Sequence, residues 1–149
     1  MSDNVIGGTI GVFDLLHVGH VRFLETARAQ CQQLKVGVGS DRAVGNSKGR
    51  QPVINQAQRR ELLAALRCVD DTCIFDVGLD NTQASVDWIV AWGIKKVFVG
   101  DDWAGSGRWL RLQPLLAERG IQCVWLPYSQ GISTTVIRQI ICMSQPAGD

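Results

Sequence analysis

This 149-residue chain contains no long apolar run. A stretch of about 18 apolar residues is what a membrane-spanning helix requires, so no membrane span is expected. An excess of one charge is missing too. Fifteen Lys and Arg stand against fourteen Asp and Glu, a formal net charge of +1. A surface that tracks a nucleic acid needs a cation for each phosphate it meets, so nucleic acid is not expected as a partner and a local anionic ligand is. No C-x-x-C occurs among the five cysteines, Cys31, Cys68, Cys73, Cys123 and Cys142. An odd number without metal-site spacing reads as reduced, mostly core-packing thiols of a cytoplasmic protein, with no metal site built from them. The opening Met1-Ser2-Asp3-Asn4 lacks a signal-peptide pattern. Repeats, low-complexity tracts and a linker to a second domain are also lacking.

What is present is a compact globular balance, 46% hydrophobic and 19% charged, in a length that suits one domain with one core. Strand-like and helix-like segments alternate. Gly7 to Phe13 reads as a buried first strand, and Val18 to Gln30 as a helix with Val18, Val21, Phe23, Leu24 and Ala27 near helical spacing. Leu34 to Gly39, Thr72 to Phe75, Lys96 to Val99 and Cys123 to Leu126 read as further strands. Asp41 to Asn55, rich in Gly, Ser, Asn and Lys, reads as a loop. Helices are expected over Gln56–Leu66, with Leu62, Leu63 and Leu66 on one face, over Gln83–Trp92 and over Trp109–Glu118. The last two end at Gly93 and Gly120. A final helix opens at Ile132 with Ser133 as its cap. The pattern predicts a Rossmann-like α/β fold: a doubly wound, five-stranded parallel sheet with helices on both faces, forming a single domain over residues 1–143, with a tail at 144–149. Ligands on such sheets bind outside the carboxyl ends of the strands.

Chemistry-bearing residues fall at those ends. After strand one the chain reads Gly11-Val12-Phe13-Asp14-Leu15-Leu16-His17-Val18-Gly19-His20. His17 and His20 share a helix face, Gly19 lets a bulky group approach the backbone, and the helix N-terminus adds unpaired N–H groups. Alone, the pair is equally compatible with half of a metal site or two surface histidines. The second motif is Gly131-Ile132-Ser133-Thr134-Thr135-Val136-Ile137-Arg138. One hydroxyl would suffice as a cap, whereas three hydroxyls plus free N–H groups suit phosphate oxygens. Asp14 could equally cap the turn into its helix, Arg59 and Arg67 could be solvated helix residues, and Trp103 could cover a core edge.

Taken together, the two motifs resemble the HxGH cytidylyltransferases, most closely the glycerol-3-phosphate cytidylyltransferase group. The resemblance runs from Gly7 to Ile140 and includes Arg67-Cys68-Val69-Asp70, Gly100-Asp101-Asp102-Trp103, Ser40-Asp41, Lys48, Arg50 and Arg59. It implies that His17 and His20, with Lys48 and Arg138, stabilise charge developing at the α-phosphorus of a nucleoside triphosphate. It places the nucleotide against Gly11, Val12, Phe13, Asp14, Gly19 and Asp102, and its outer phosphates against Gly131, Ile132, Ser133, Thr134 and Thr135. The acceptor side would take Asp41, Arg50, Arg59, Arg67, Trp103 and Tyr128. Mg²⁺ would accompany the triphosphate, and a homodimer is implied, with Arg67 near its interface.

The activity implied is transfer of CMP from CTP to a phosphorylated small molecule, such as a glycerol phosphate-like polyol phosphate or a phosphonate, with release of pyrophosphate. Three departures keep the substrates open. Val12 stands where the family has threonine. Tyr128-Ser129-Gln130 stands where the glycerol-phosphate enzymes carry an arginine. Asn46 to Val53 reads partly like adenylyl-transferring relatives. The alternatives are therefore an adenylyltransferase that uses ATP to make an ADP-sugar or FAD, and a non-catalytic nucleotide-binding module.

Overall fold

The computed structural model describes residues 4–127 and 129–144. Tyr128 and the end of the tail, 145–149, lie outside the described residues. Five parallel strands form one sheet in the order β3-β2-β1-β4-β5. They are β1 (Ile6–Gly11), β2 (Gln33–Gly39), β3 (Asp71–Phe75), β4 (Lys96–Gly100) and β5 (Gln122–Leu126). The helices are α1 (Val18–Arg28), α2 (Asp41–Lys48), α3 (Gln56–Ala64), α4 (Thr82–Ala91), α5 (Gly107–Glu118) and α6 (Thr134–Met143). A short 3₁₀ turn covers Asp101–Trp103.

The strand period of two sorts the side chains into two cores. Leu34, Val36, Val38, Phe98 and Leu126 point to the face covered by α1, through Leu24 and Ala27, and by α3, through Leu63. Val97 and Val99 point the other way, into the packing of α4 (Val86, Ile89) and α5 (Trp109, Leu112, Leu116). Trp88 of α4 lies over Gly37, where an added Cβ would stand 3.1 Å from its ring. Helices therefore cover both faces, as expected, and Trp88, Trp92, Trp109 and Trp125 pack in or against this second core. Leu62 is the exception to the expected α3 face: it is 43% exposed, and Leu63 alone is fully buried.

The chain winds outward from β1 to β2 and β3, then returns to the other side of β1 for β4 and β5. The strand order thus reverses between β1 and β4, which Thr9 joins through its hydroxyl donating to the Phe98 carbonyl at 2.9 Å. A crevice opens outside the carboxyl ends of the strands at such a point.

One segment corrects the sequence reading. Residues 41–48 form a helix, not a loop. Ser40 caps it, its hydroxyl accepting from the Ala43 N–H at 3.0 Å, and Gly49 closes it with φ of 72°. Asp41 and Gln56 then cap each other's helix starts: the Asp41 N–H donates to Gln56 Oε1 at 2.9 Å and the Gln56 N–H to Asp41 Oδ2 at 3.3 Å. These terminal bonds offset the weak helix propensity of Gly45, Asn46 and Ser47. The loop expectation survives only for the stretch after Gly49.

Candidate functional site

The turn after β1 is the keystone of the site. Phe13 and Leu15 have positive φ values, 54° and 52°, which cost non-glycine residues about 1–2 kcal/mol each. Asp14 lies between them and is buried. Its carboxylate accepts from the N–H groups of Val53 (2.8 Å) and Ile54 (2.9 Å), from its neighbour Leu15 (3.1 Å) and from Arg138 Nη2 (2.8 Å). Its carbonyl accepts from Thr134 Oγ1 at 2.9 Å. Burial pushes the Asp14 carboxyl up, but the Ile54 and Val53 N–H groups and the Arg138 and Arg59 guanidiniums outweigh it, so the carboxyl titrates below its usual range. Asp14 therefore ties the β1–α1 turn, the α2–α3 connection and α6 together, with little of its carboxylate left for a ligand.

Arg59 departs further from its expected acceptor role. It is 0% exposed, and it donates to the carbonyls of Ile54, Val12 and Gly39, each at 2.8 Å, and to Asp41 Oδ1 at 2.6 Å. Arg59 and Asp41 lock α3 and α2 to the ends of β1 and β2 and do not line the crevice. Arg67 is also displaced: it precedes β3 and so lies at the amino end of the sheet, exposed and opposite the crevice. Gly131, with φ of 79°, shapes the turn into α6 without lining the crevice. The expected contact at Tyr128 lies outside the described residues.

The remaining predicted residues converge on a cleft of about 670 Å³ at the switch point. His17 caps α1, its Nδ1 accepting from the Gly19 N–H at 3.0 Å, while His20 Nδ1 accepts from the His17 N–H at 3.2 Å. The two rings stack, with centroids 3.8 Å apart. A neutral imidazole whose Nδ1 accepts carries its proton on Nε2, so this hydrogen bonding assigns an Nε2–H donor to each histidine. Burial lowers the His17 pKa. Burial, then the neighbouring His17 charge, brings His20 down to about 4 against the opposing pull of Asp14. Both rings are neutral near pH 7. Gly19 is required here: a Cβ would stand 2.8 Å from His17 Cε1 and 3.2 Å from Ile132 Cγ2.

Ile132 thereby brings the start of α6 against the histidines. Ser133 caps that helix through the Val136 N–H at 3.1 Å, and Thr135 joins it on the cleft wall. Thr134 reaches the cleft, although its hydroxyl is donated to Asp14. The same cleft is lined by Lys48 at the end of α2, Arg50, Arg138 one turn into α6 and a residue the sequence reading passed over, Arg108 of α5. Loss of solvent to the surrounding protein, followed by the charges of Arg50, Arg108 and Arg138, lowers the Lys48 pKa, against the opposing pull of Asp14. Arg138 Nε is buried with no partner among the described residues. Asp102 and Trp103 complete the wall from the β4 side, Trp103 being 43% exposed. No signal in the sequence marked Arg108, because it follows the G-D-D-W turn at a spacing unlike that of any motif.

No group of three or more His, Cys, Asp or Glu side chains that could hold a metal gathers among the described residues. None of their helices is long and apolar enough to cross a membrane.

A doubly wound sheet with neutral imidazole donors, clustered cations and two helix N-termini around its switch-point cleft defines a phosphate-binding α/β protein of the nucleotidyltransferase kind. The chain belongs to the cytidylyltransferase-like family, whose model matches residues 9–140. Among curated proteins it is 38% identical over 133 residues to the bifunctional protein HldE of Hyphomonas neptunium, a match covering 89% of this chain and 26% of that protein. It is 49% identical over 135 residues to the bifunctional protein HldE of Rhodopseudomonas palustris strain BisB5, covering 87% of this chain and 25% of that protein. The chain thus spans about a quarter of the length of the curated relatives it matches. Among solved structures, a lipopolysaccharide core biosynthesis protein from Thermoplasma volcanium superposes with a TM-score of 0.67 at 22% identity, covering 84% of this chain and 96% of that one. Thermotoga maritima TmcAL, solved with alpha-thio ATP, superposes with a TM-score of 0.64 at 14% identity, covering 93% of this chain and 50% of that one. These two likenesses concern the fold.

Proposed function

We propose that the chain is an adenylyltransferase that moves AMP from ATP onto the phosphate of a sugar phosphate, forming an ADP-sugar and releasing pyrophosphate. The observation that carries the transfer chemistry is the stacked His17–His20 pair, whose two Nε2–H donors share one cleft with Lys48, Arg138 and the start of α6. Kinship with the bifunctional HldE proteins favours adenylyl over cytidylyl transfer, and the partial likeness of Asn46–Val53 to adenylyl-transferring enzymes points the same way. Cytidylyl transfer to a polyol phosphate is the second reading, favoured by the G-D-D-W turn and the G-I-S-T-T run.

In either reading the protein's work is positioning and charge neutralisation. The acceptor phosphate is already an anionic nucleophile and needs no strong base. One of its oxygens bonds to the α-phosphorus, the bond from that phosphorus to the α–β bridging oxygen breaks, and pyrophosphate leaves with the electron pair. Preformed imidazole N–H donors and the Lys48 ammonium would meet the charge as it builds. Mg²⁺ would arrive with the triphosphate as part of the substrate and neutralise charge on its phosphate oxygens.

The test is pyrophosphate release with Mg²⁺ and each of ATP, CTP, GTP and UTP against sugar phosphates, glycerol phosphates, FMN, choline phosphate and simple phosphonates. Release that needs ATP and a sugar phosphate supports the proposal. Release with CTP and a polyol phosphate replaces it with the second reading. Nucleotide binding without release from any pair supports a binding module.

A further inference from the structure

The nucleotide cleft has a neighbour. A second cavity of about 310 Å³ opens between α2 and the 76–81 segment that leads from β3 to α4. Ala43, Ser47, Gly78 and Asp80 line both spaces, so the two meet at Ser47 and Asp80. Arg108 spans that junction. Its Nε donates to Asp80 Oδ1 at 3.1 Å, its Nη2 stands 3.5 Å from Ser47 Oγ, and its guanidinium carbon lies 5.0 Å from the Trp103 ring centroid. The Arg108 side chain is only 18% exposed, whereas that of Asp80 is 62% exposed.

His17, Gly19, Ile132 and Ser133 meet in the main cleft where α1 packs against α6. Arg108, Asp80 and Trp103 reach the same cleft from α5, the 76–81 segment and the turn after β4, and none of the histidine-motif or hydroxyl-motif residues reaches the smaller cavity. That cavity is lined by Asn46, Ser47, Asp80 and Asn81 together with the Arg42–Asp76 ion pair, a polar set that both donates and accepts. Such a lining matches a chain of hydroxyl groups better than an apolar group or a flat aromatic ring.

We infer that Arg108 is the residue that selects the acceptor: it receives the acceptor's phosphate at the junction, while the hydroxyl-bearing carbon skeleton lies in the cavity between α2 and the 76–81 segment. Asp80 holds the guanidinium in place until the phosphate, the stronger bidentate partner, takes it. The inference rests on the phosphate-acceptor transfer reading and names the part of the molecule that such a reading leaves open. In-line displacement needs the acceptor oxygen and the outgoing pyrophosphate on opposite sides of the α-phosphorus, and an acceptor phosphate held by Arg108 leaves the hydroxyls and N–H groups at the α6 start to the pyrophosphate.

The experiment measures Arg108→Gln and Arg108→Lys in parallel. Calorimetry of ATP binding without acceptor reads the nucleotide side, and steady-state pyrophosphate release reads the acceptor side. Arg108→Gln is expected to raise the acceptor KM at least tenfold and to change ATP affinity by clearly less than that. Arg108→Lys recovers part of the loss, since the ammonium keeps the charge without the fork. An unchanged acceptor KM, or ATP affinity weakened tenfold, overturns the inference. If the wild-type protein turns over no phosphorylated acceptor, the transfer reading fails on its own, and the Arg108 site is judged by NMR. Inorganic phosphate is titrated into protein saturated with α,β-methylene ATP. Shifts at Arg108 Nε–H and Trp103 Nε1–H in the wild type, the Trp103 shift being lost in Arg108→Gln, uphold a phosphate site there, and their absence in the wild type overturns it.

Discussion

The His17 and His20 rings stack 3.8 Å apart at an interplanar angle of 22°, and each Nδ1 is occupied by a backbone N–H of the same helix start. The helix thus spends its own unpaired donors on fixing two side chains, and the two Nε2–H groups are left for a ligand. Replacing either histidine by alanine removes one donor aimed at developing charge, a loss of about 100- to 1000-fold in rate, and leaves the sheet and both cores untouched. Pyrophosphate release and circular dichroism check this together. Normal turnover in both variants would sink the mechanism.

Gly19 tests the geometry of that pair without altering its chemistry. A methyl group at this position would stand 2.8 Å from His17 Cε1 and 2.9 Å from His17 Nδ1, so the ring must move and lose its N–H partner. Misplacing a catalytic group by about 1 Å costs about 100-fold, while alanine in a helix gains up to about 1 kcal/mol over glycine. Gly19→Ala is therefore expected to melt within a few degrees of wild type and to turn over about 100-fold more slowly. A fully active variant would show that the His17 position is not critical.

The pH dependence of stability follows from His20. Its folded pKa, brought down to about 4 by burial and by His17, lies below the ordinary value of 6.5. Between those two values the unfolded chain binds a proton that the folded chain refuses, so stability falls as pH drops from 6.5 toward 4 and is insensitive to this group above 6.5. Denaturant midpoints at pH 7 and pH 5 should differ in the wild type and differ less in His20→Asn. An equal drop in both would assign the effect to other groups.

Arg59 separates scaffold from site. Its guanidinium is fully buried and bonded to the carbonyls of Val12, Gly39 and Ile54 and to Asp41. Arg59→Met leaves those acceptors unpaired, and breaking a buried pair in this way costs about 3–5 kcal/mol. The expected result is a large loss of urea stability. A stable variant with a raised acceptor KM would restore the acceptor-binding role that the motif pattern assigned to Arg59.

The sheet and most helix boundaries could be read from the sequence because their signals are local. The strands are short apolar runs, and the helices end at Gly93 and Gly120, both at positive φ. The two phosphate-facing motifs were legible for the same reason, since each is contiguous in the chain. What the sequence hid depends on contacts across the fold. Helix α2 forms in a Gly-, Ser- and Asn-rich stretch because Asp41 is gripped by Gln56 and Arg59, 15 and 18 residues onward. Asp14 and Arg59 look like ligand residues in a motif, yet their partners, such as Arg138 and Val12, lie 124 and 47 residues away. Arg108 belongs to no motif and reaches the site only because α5 packs beside the turn that carries Trp103.

The sequence named Lys48 as a site residue but not the helix that carries it. It ends helix α2 on the cleft wall, in the field of Arg50, Arg108 and Arg138, and its ammonium loses solvent to its surroundings. A cation held among cations is destabilised until an anion arrives, so a triphosphate binding there relieves repulsion as well as gaining attraction. Lys48→Ala is expected to lower kcat/KM about 100-fold or more, with a melting temperature near that of wild type because the bonds that hold α2 come from Ser40, Asp41 and Gly49. The lowered pKa adds a second readout. The alkaline limb of kcat/KM should fall at a pH below the ordinary lysine value of 10.5 and move upward in Lys48→Arg, whose guanidinium does not titrate in that range. An alkaline limb unchanged in Lys48→Arg would assign the titration to another group and leave Lys48 as a residue that only closes its helix.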